Sequence, residues 1–343
     1  MFKFNIIGNR KIWLAISGVL VSLSIVALFS WGLNFGIDFT GGSLLELRFT
    51  EKAPSAIEAR DSLSDLELSS LIIQPAEGDS IILRFKDDDP KIHSQIMERM
   101  ISLAESISPQ DESEETGGGD INTSDVVVGS DGEVDVVVDS SNSDSVGASE
   151  SSLVEEIRFD SVGPSIGQEL RNKSFNTIFL VLIIIILYIS LVFRKVSKPV
   201  SSWKYGIASI VALFHDVLIV LGVFAVLGKF YNVEINTPFI AALLTVLGYS
   251  VNDTIIVFDR IRENLPRSVE NFTNTINKSV NQTLVRSLNT SFTTLLVLLA
   301  IIIFGGGSIR EFVLALAIGI FIGTYSSIFV ASPVLVWFDR KRK

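Results

Sequence analysis

The chain has 343 residues, 48% of them hydrophobic, and carries a formal net charge of −10 at pH 7. It has no cysteine, which excludes disulfides and thiolate metal sites. Several mostly apolar runs are long enough to cross a bilayer as helices, which excludes an ordinary soluble globular protein. There are six such runs: residues 12–33, 175–193, 205–228, 238–258, 284–304 and 312–336. We therefore predict a polytopic α-helical membrane protein. The first run is too long for the core of a signal peptide, so we expect it to be retained.

The charge is divided unevenly along the chain. Residues 34–174 hold 30 acidic and 10 basic residues, whereas the remainder holds 8 acidic and 18 basic residues. Most of those basic residues cluster before the first run and after the second, fourth and sixth. Because basic loops stay in the cytoplasm, we expect all four basic clusters to be cytoplasmic and the loop at 34–174 to be extracytoplasmic. The clusters lie within 1–11, 194–204, 259–283 and 337–343. Arg171 and Lys173, on the outer flank of the second run, are a small exception.

The two ends of the extracytoplasmic loop together have the strand and helix pattern of one small α/β domain. In its first strand, Leu45, Leu47 and Phe49 alternate with charged residues. Strand-like segments are 43–49, 71–74, 81–85 and 153–159, and segments with helical spacing are 54–63 and 91–107. A sheet with two helices on one side would bury the apolar stripes of both kinds of element.

Residues 108–152 interrupt this domain with a segment rich in Ser, Asp, Glu and Gly. Such a composition buries too little apolar area to offset its ordering entropy, so we predict a largely disordered acidic insertion. One alternative is a hairpin of 126–128 with 134–138 across a Gly-Ser-Asp-Gly turn. Calcium binding is another, although the carboxylates fit no EF-hand spacing.

Ionisable residues lie inside three of the apolar runs. His215 and Asp216 are near the middle of the third, Asp253 lies five residues before the end of the fourth, and Arg286 is near the start of the fifth. An aspartate inside a span costs roughly 2.5–3.5 kcal/mol on insertion scales, so such residues are functional hypotheses by default. Because the fourth and fifth runs are antiparallel, the long Arg286 side chain could reach the Asp253 carboxylate. We predict a proton pathway through Asp253, Arg286 and Asn252, with His215 and Asp216 as polar support.

Each of these residues also has a structural interpretation. Arg286 could extend to the lipid headgroups from its position near a helix end. Asp253 could be a hydrogen-bonding residue among the polar side chains that flank it, and His215 with Asp216 could order helix packing. In the sixth run, Ala315, Gly319 and Gly323 repeat every four residues. This small-residue spacing predicts a helix-packing face.

Four motifs are more specific than any single residue. They are "GIDFTGG" at 36–42, "LFHD" at 213–216, "GYSVNDTIIVFDRIREN" at 248–264 and "NQTLVRSLNTSFTT" at 281–294. In this order, between six spans, they resemble the SecF family of bacterial protein-export membrane proteins, which belongs with SecD to the RND transporter superfamily. The resemblance covers nearly the whole chain. The acidic insertion departs from it, and no family role is carried onto that segment.

The resemblance implies an RND-type bundle of six TM helices in the bacterial cytoplasmic (inner) membrane. It implies an extracytoplasmic α+β ferredoxin-like domain between the first two helices. Asp253 and Arg286 match the proton-pathway Asp and Arg of the family. The motif at the junction of membrane and outer domain matches Gly36, Asp38, Phe39, Gly41 and Gly42. The implied partners are SecD, the SecYEG channel, YajC, the unfolded polypeptide in transit and membrane lipids, with no nucleic acid. The coupling ion is H⁺, with no cofactor.

The resulting functional prediction is a transport subunit that uses the proton-motive force with SecD to drive late, SecA-independent steps of protein export. The sequence has no phosphate loop, no credibly spaced Ser/His/Asp set and no metal cluster, so we do not expect an enzyme. One alternative is a scaffold that stabilises SecD and the channel without carrying protons. The other is an RND-like exporter of lipids or small molecules, which needs about twice as many spans.

Overall fold

The structure is a computed structural model that describes residues 4–66, 68, 70–76, 78–86, 90–107, 153–192, 202–305 and 307–340. The acidic insertion 108–152, with its alternative hairpin, lies outside the described residues. Residues 193–201 and 341–343, which carry part of two basic clusters, also lie outside them. The chain divides into two compact units. We call Met1–Ser43 with Ser161–Lys343 the bundle, and Leu44–Asp160 the α/β unit.

In chain order, the helices and strands are α1 (Arg10–Trp31), α2 (Ile37–Thr40), β1 (Gly42–Phe49), α3 (Ala56–Ser62), β2 (Ile72–Ala76), β3 (Ser80–Phe85), α4 (Pro90–Ile107), β4 (Val154–Val162), α5 (Pro164–Val192), α6 (Ser202–Tyr231), α7 (Thr237–Asn264), α8 (Phe272–Phe304), α9 (Gly307–Ser326) and α10 (Ser332–Arg340). A five-residue π turn, Ser327–Ala331, joins α9 to α10.

Six helices among the described residues are long and apolar enough to cross a membrane. They are Arg10–Trp31, Pro164–Val192, Trp203–Tyr231, Thr237–Arg267, Phe272–Phe304 and Ile309–Phe338. Each overlaps one of the predicted apolar runs, and the predicted six-helix membrane fold is confirmed. The bundle turns large apolar side chains outward, with Phe29 90% and Phe304 87% exposed. Such a surface suits hydrocarbon as its solvent.

Several helices continue beyond the apolar runs that predict them. The predicted cytoplasmic loop at 259–283 is mostly helix, because α7 continues to Asn264 and α8 begins at Phe272. Once a helix is nucleated, each further residue adds a hydrogen bond, so polar residues extend it at little cost. The Asn271 side chain fixes the new start by accepting a hydrogen bond from the Asn274 N–H at 2.9 Å. Likewise α5 begins at Pro164, well before the predicted start of the second span.

Among its described residues, the bundle has two buried apolar clusters. One lies toward the α6–α7 connection and includes Phe39, Phe224 and Phe239. The other lies toward the α7–α8 connection and includes Tyr205 and Phe258. The polar site described below is built from α6, α7, α8, α9 and the π turn.

The α/β unit has the order β1-α3-β2-β3-α4-β4 and a four-stranded sheet ordered β2-β3-β1-β4. This is the ferredoxin-like arrangement, and the predicted fold class is confirmed. The strands β2 and β3 pair antiparallel with Ile73 opposite Leu83. The predicted face of β1 is buried, together with the α4 stripe that contains Ile96 and Met100. Helix α3 begins with a capping box in which Ser55 and Glu58 each bond the other's backbone N–H.

Candidate functional site

Asp253 lies inside the bundle, where only 6% of its surface is exposed. One carboxylate oxygen accepts a hydrogen bond from Ser287 Oγ on α8 at 2.5 Å, and the other accepts one from Ser327 Oγ at the start of the π turn. Three separate elements therefore meet at this carboxylate. Its partners are hydroxyl groups, which can either donate or accept.

The position of Ser327 gives the site two arrangements of hydrogen bonds. Its Oγ also lies 3.0 Å from the carbonyl oxygen of Thr324, but a hydroxyl has one proton to donate. When Asp253 is ionised, Ser327 donates to the carboxylate. When Asp253 is protonated, the acid can donate to Ser327, and Ser327 can turn its proton to the Thr324 carbonyl. The site can therefore satisfy the carboxyl group in both protonation states.

A second carboxylate, Asp216 on α6, is completely buried. It accepts hydrogen bonds from His215 Nδ1 at 2.9 Å, Ser250 Oγ at 2.6 Å and Ser326 Oγ at 2.8 Å. The His215 ring is stacked near Tyr325, with the ring centres 6.1 Å apart. Thus α6, α7 and the end of α9 meet at Asp216, as α7, α8 and the π turn meet at Asp253.

The serine and threonine partners on α8 form a regular stripe that the sequence analysis missed. Hydroxyl residues recur at every fourth position and all are buried. They are Thr275, Ser279, Thr283, Ser287 and Ser291. Residues four apart lie on one face of a helix, so this spacing was a readable signal. The stripe continues the polar interior, since Ser291 Oγ lies 2.5 Å from Thr324 Oγ1 and 3.1 Å from the Tyr249 hydroxyl.

The structure does not bring Arg286 or Asn252 to Asp253, and this corrects the expected contact. Both side chains are exposed, and between these described residues no ion pair or hydrogen bond is formed. Successive residues on an α-helix differ by about 100° of rotation. Because Ser287 points at Asp253, its neighbour Arg286 points away, and Asn252 is likewise turned from the buried face that Asp253 shares. The role of Arg286 on the pathway therefore stays a prediction, without the direct pair.

The predicted junction motif ties the end of α1 to the start of α7. Phe35 and Ile235 form a short parallel bridge in which Gly36 N–H donates to the Ile235 carbonyl at 2.8 Å. The Asp38 carboxylate accepts a hydrogen bond from Thr237 N–H at 2.7 Å. This satisfies one of the free N–H groups in the first turn of α7, where a negative charge is also favourable.

The backbone conformation at the end of this motif explains why both positions are glycine. Gly41 has φ of +75° and Gly42 has φ of +122°, a region that L side chains rarely adopt. A Cβ on Gly41 would also lie 2.7 Å from Pro164 Cα at the start of α5. Phe39 in the same motif is buried in the core toward the α6–α7 connection. The motif therefore holds α1, α5 and α7 close together.

The predicted packing stripe on α9 faces α7. Ala315 is fully buried, a Cβ on Gly319 would lie 2.2 Å from Val246 Cγ2, and one on Gly323 would lie 3.0 Å from Ser250 Cβ. Small residues here allow close approach of the two backbones. This approach brings Ser326, three residues after Gly323, to the carboxylate that Ser250 also contacts. Among the described residues, no cluster of three His, Cys, Asp or Glu side chains could hold a metal ion.

Comparison with known proteins identifies two family models within the chain. The model described as "Protein export membrane protein SecD/SecF, C-terminal" matches residues 143–341. The model described as "SecD/SecF GG Motif" matches residues 26–53, which include Gly41 and Gly42. The first match covers more than half of the chain.

Similar curated proteins include two SecF subunits of protein translocases. The subunit from Sebaldella termitidis is 34% identical over 347 residues, which cover 99% of this chain and 93% of that protein. The subunit from Thermobaculum terrenum is 56% identical over 188 residues, which cover 54% of this chain and 58% of that protein.

A similar solved structure is that of SecDF from Thermus thermophilus, described as a translocon-associated membrane protein. It shares 30% identity with this chain at a TM-score of 0.75. The match covers 100% of this chain and 39% of the SecDF chain, so this chain spans well under half of that longer protein. The chain therefore belongs to the SecD/SecF family of protein-export membrane proteins, as a SecF subunit of the protein translocase.

Proposed function

We propose that this chain works with SecD to convert the proton-motive force into late, SecA-independent steps of protein export. In this proposal it is a multi-pass protein of the bacterial cytoplasmic membrane with both termini in the cytoplasm. Its α/β unit is extracytoplasmic and handles the unfolded polypeptide that leaves the SecYEG channel, with YajC as an accessory partner. The coupling ion is H⁺. Family membership favours protein export over the lipid or small-molecule exporter.

The observation that carries the proposal is the buried Asp253 carboxylate with two serine partners. A carboxylate at this depth is expensive, and such groups mark ion or proton pathways. Because Ser327 can donate to Asp253 or to the Thr324 carbonyl, the site accommodates gain and loss of a proton. Moving one charge across the membrane potential yields about 2.3 kcal/mol per 100 mV, which is comparable to the few kcal/mol that separate two conformations of a protein.

Helix α7 offers a mechanical route from this site to the junction motif. Asp253 lies 16 residues after Thr237, which is about 24 Å along an α-helix. At that far end Thr237 N–H is held by Asp38, and the chain continues through Gly41 and Gly42 into β1. A shift of α7 on protonation of Asp253 would therefore pull on the segment that leads to the α/β unit.

The exposed face of α7 supports SecD as the partner. Small and polar residues occupy this face: Ala241, Thr245, Gly248 and Asn252. A Cβ on Gly248 would have no neighbour within 4 Å, so the helix is open to a closely packed partner. Arg286 is also exposed on the neighbouring α8, where a second bundle would shield its charge from lipid. SecDF of Thermus thermophilus has ample additional chain length for such a second bundle.

The test is export in proteoliposomes that contain the channel, SecD and this chain, with and without a proton gradient. We expect Asp253→Asn to lose the gradient-dependent part of export and to keep the remainder. Asp259→Asn is the matched control, because Asp259 lies on the same helix but is exposed and paired with Arg262 at 2.7 Å. Each variant is first checked for assembly with SecD.

A parallel pair of variants examines the exposed cation. If Arg286 faces SecD, Arg286→Met should also abolish the gradient-dependent part of export. Lys229→Met is the control, because it removes an exposed cation from the end of α6, and it should leave gradient dependence unchanged. If Asp253→Asn assembles and the gradient still accelerates export fully, the proton path runs elsewhere. The chain is then a scaffold for SecD and the channel, and the proposal fails.

A further inference from the structure

His215 and Asp216 form a buried polar cluster that the proposed function leaves unused. His215 is 5% exposed and Asp216 is completely buried. Asp216 receives hydrogen bonds from three different side chains, as described above. By contrast, Nε2 of His215 is buried and has no hydrogen-bond partner among the described residues. A buried polar atom without a partner requires an explanation beyond helix packing.

When Asp216 is ionised, its hydrogen bond to His215 selects one tautomer of the ring. An ionised carboxylate can only accept, so Nδ1 of His215 carries the proton that it shares with Asp216 at 2.9 Å. In the neutral ring, Nε2 then has a free lone pair. Addition of one proton at Nε2 gives an imidazolium beside a carboxylate, and the pair changes from a net charge of −1 to zero. Nε2 is therefore the position at which this cluster can bind a proton.

The two carboxylates of the bundle are connected through consecutive residues. Ser326 contacts Asp216 and Ser327 contacts Asp253, at the point where α9 enters the π turn. Each serine has an alternative acceptor, since Ser326 Oγ lies 3.1 Å from the Gly323 carbonyl and Ser327 Oγ lies 3.0 Å from the Thr324 carbonyl. Single-turn π segments inside helices often occur at functional sites.

Helix α7 provides a second connection between them. It carries both Ser250, which donates to Asp216, and Asp253, one helical turn later. A movement of α7 or of the π turn at one carboxylate therefore changes the hydrogen bonds at the other.

Among the described residues, no Lys or Arg forms an ion pair with Asp216 or Asp253, and Arg286 is exposed. The titratable groups near the cluster are Tyr325, which stacks on His215 from α9, and Asp253 on α7. Helix α1 contributes the Ser17 hydroxyl, which lies 3.1 Å from the Tyr325 hydroxyl. Protons are therefore the means available inside this cluster to neutralise its charge.

We propose that His215 and Asp216 form a second proton-binding site, which takes its proton at Nε2 of His215 and is coupled to Asp253 through Ser326 and Ser327. The inference rests on the proposed function for its use in transport, but proton binding and coupling can be measured without any transport. The bundle would then bind protons at two coupled positions, one on α6 and one on α7.

The experiment uses the fact that the chain has only two histidines. His93 lies in the α/β unit and is paired with Glu156, so His93→Gln leaves His215 as the single labelled site. The full-length H93Q chain, labelled with ¹⁵N and ¹³C at histidine, is reconstituted with SecD in liposomes. Solid-state NMR then follows both ring nitrogens of His215 as the pH is varied with no gradient present.

We expect Nε2 to convert from an unprotonated to a protonated signal, while Nδ1 stays protonated. Asp253→Asn and Ser326→Ala should each move the midpoint of that conversion, and Asp216→Asn should abolish the imidazolium signal over the same range. Ser209→Ala is the control, since its buried hydroxyl on α6 donates to the Tyr205 carbonyl and lies outside the cluster; it should leave the midpoint unchanged.

Two results would overturn the inference. In one, His215 keeps a single protonation state across the whole pH range in which the complex stays assembled. In the other, it titrates but its midpoint is the same in wild type, Asp253→Asn and Ser326→Ala. The proposed function fails separately, by export that ignores the gradient, and the NMR result would then still decide whether the second site exists.

Discussion

The interiors of the α/β unit and the bundle are built in opposite ways. The buried core cluster of the α/β unit is apolar, and its charges lie outside in exposed pairs such as Arg48 with Glu155 at 3.6 Å. The bundle exposes many large apolar side chains, such as Phe29 and Phe304, and buries two aspartates, a histidine and a stripe of hydroxyl residues. Each unit therefore exposes the type of side chain that suits its surroundings, which are water for the α/β unit and hydrocarbon for the bundle.

This contrast shows that burial has a different meaning in the two units. In the α/β unit, the hydrophobic effect drives apolar residues inward, and exposed ion pairs add about 0–1 kcal/mol each. In the bundle, hydrocarbon outside is as apolar as the interior, so helices associate through close packing and internal hydrogen bonds. Polar residues inside the bundle can therefore serve a function, provided that neighbouring groups complete their hydrogen bonds.

The sharpest test of the contrast places the same residue in both interiors. Leu47→Asn in β1 loses apolar burial and leaves an amide without partners, which should destabilise the α/β unit by roughly 3 kcal/mol or more. Asp253→Asn keeps an oxygen and an NH₂ group beside Ser287 and Ser327, so bundle stability should change by less than about 1 kcal/mol. Hydrogen exchange of β1 and α7 amides in the full chain measures both. A bundle that loosens as much as the α/β unit would refute the contrast.

The second prediction concerns the close packing of α9 against α7, which stabilises the bundle in place of the hydrophobic effect. Gly319→Leu should destabilise the bundle by roughly 1–3 kcal/mol or more, because even a Cβ there meets Val246 at 2.2 Å. Thermal unfolding in detergent provides the measurement. The matched variant is Gly248→Leu, at a position with no neighbour within 4 Å. It should leave the isolated chain stable but weaken copurification with SecD.

The third prediction separates backbone strain from close approach. Alanine at a glycine with positive φ costs roughly 1–2 kcal/mol. Gly41 in the bundle (φ +75°) and Gly78 in the α/β unit (φ +69°) share this cost, but only Gly41 also faces Pro164. Gly41→Ala should therefore lower the thermal midpoint of the bundle more than Gly78→Ala lowers that of the α/β unit. Equal shifts would mean that Pro164 moves aside without cost.

The smallest expected effect is a pH dependence confined to the α/β unit. The backbone N–H of Ser55, followed by its hydroxyl, lowers the pKa of Glu58 below its ordinary value of 4.5. The ionised side chain thus stabilises α3 above pH 4.5, and this contribution disappears as the pH falls through the lowered pKa. Glu58→Gln should remove this step from the protection factors of α3 amides after correction for intrinsic exchange. Ser55→Ala removes the hydroxyl but keeps the backbone N–H, so it should only reduce the step. A step that persists unchanged in Glu58→Gln would assign it to another group.

Local patterns along the chain were enough to predict the six spans, the order of strands and helices in the α/β unit and the presence of carboxylates inside the membrane. Apolar length and strand alternation are local properties, so residues such as Leu45 and Leu47 could be placed correctly before any tertiary contact was known.

The neighbours of the carboxylates, by contrast, depend on tertiary packing. The sequence favoured Arg286 for Asp253, but the packing of α8 turns Ser287 inward, and a step of one residue rotates Arg286 by about 100° away. The assignment of Ser326 to Asp216 and Ser327 to Asp253 depends on the π turn and on how closely Gly319 and Gly323 let α9 approach α7. Helical rotation and interhelical distance come from the packing of all the helices together, so no single segment of the sequence contains them.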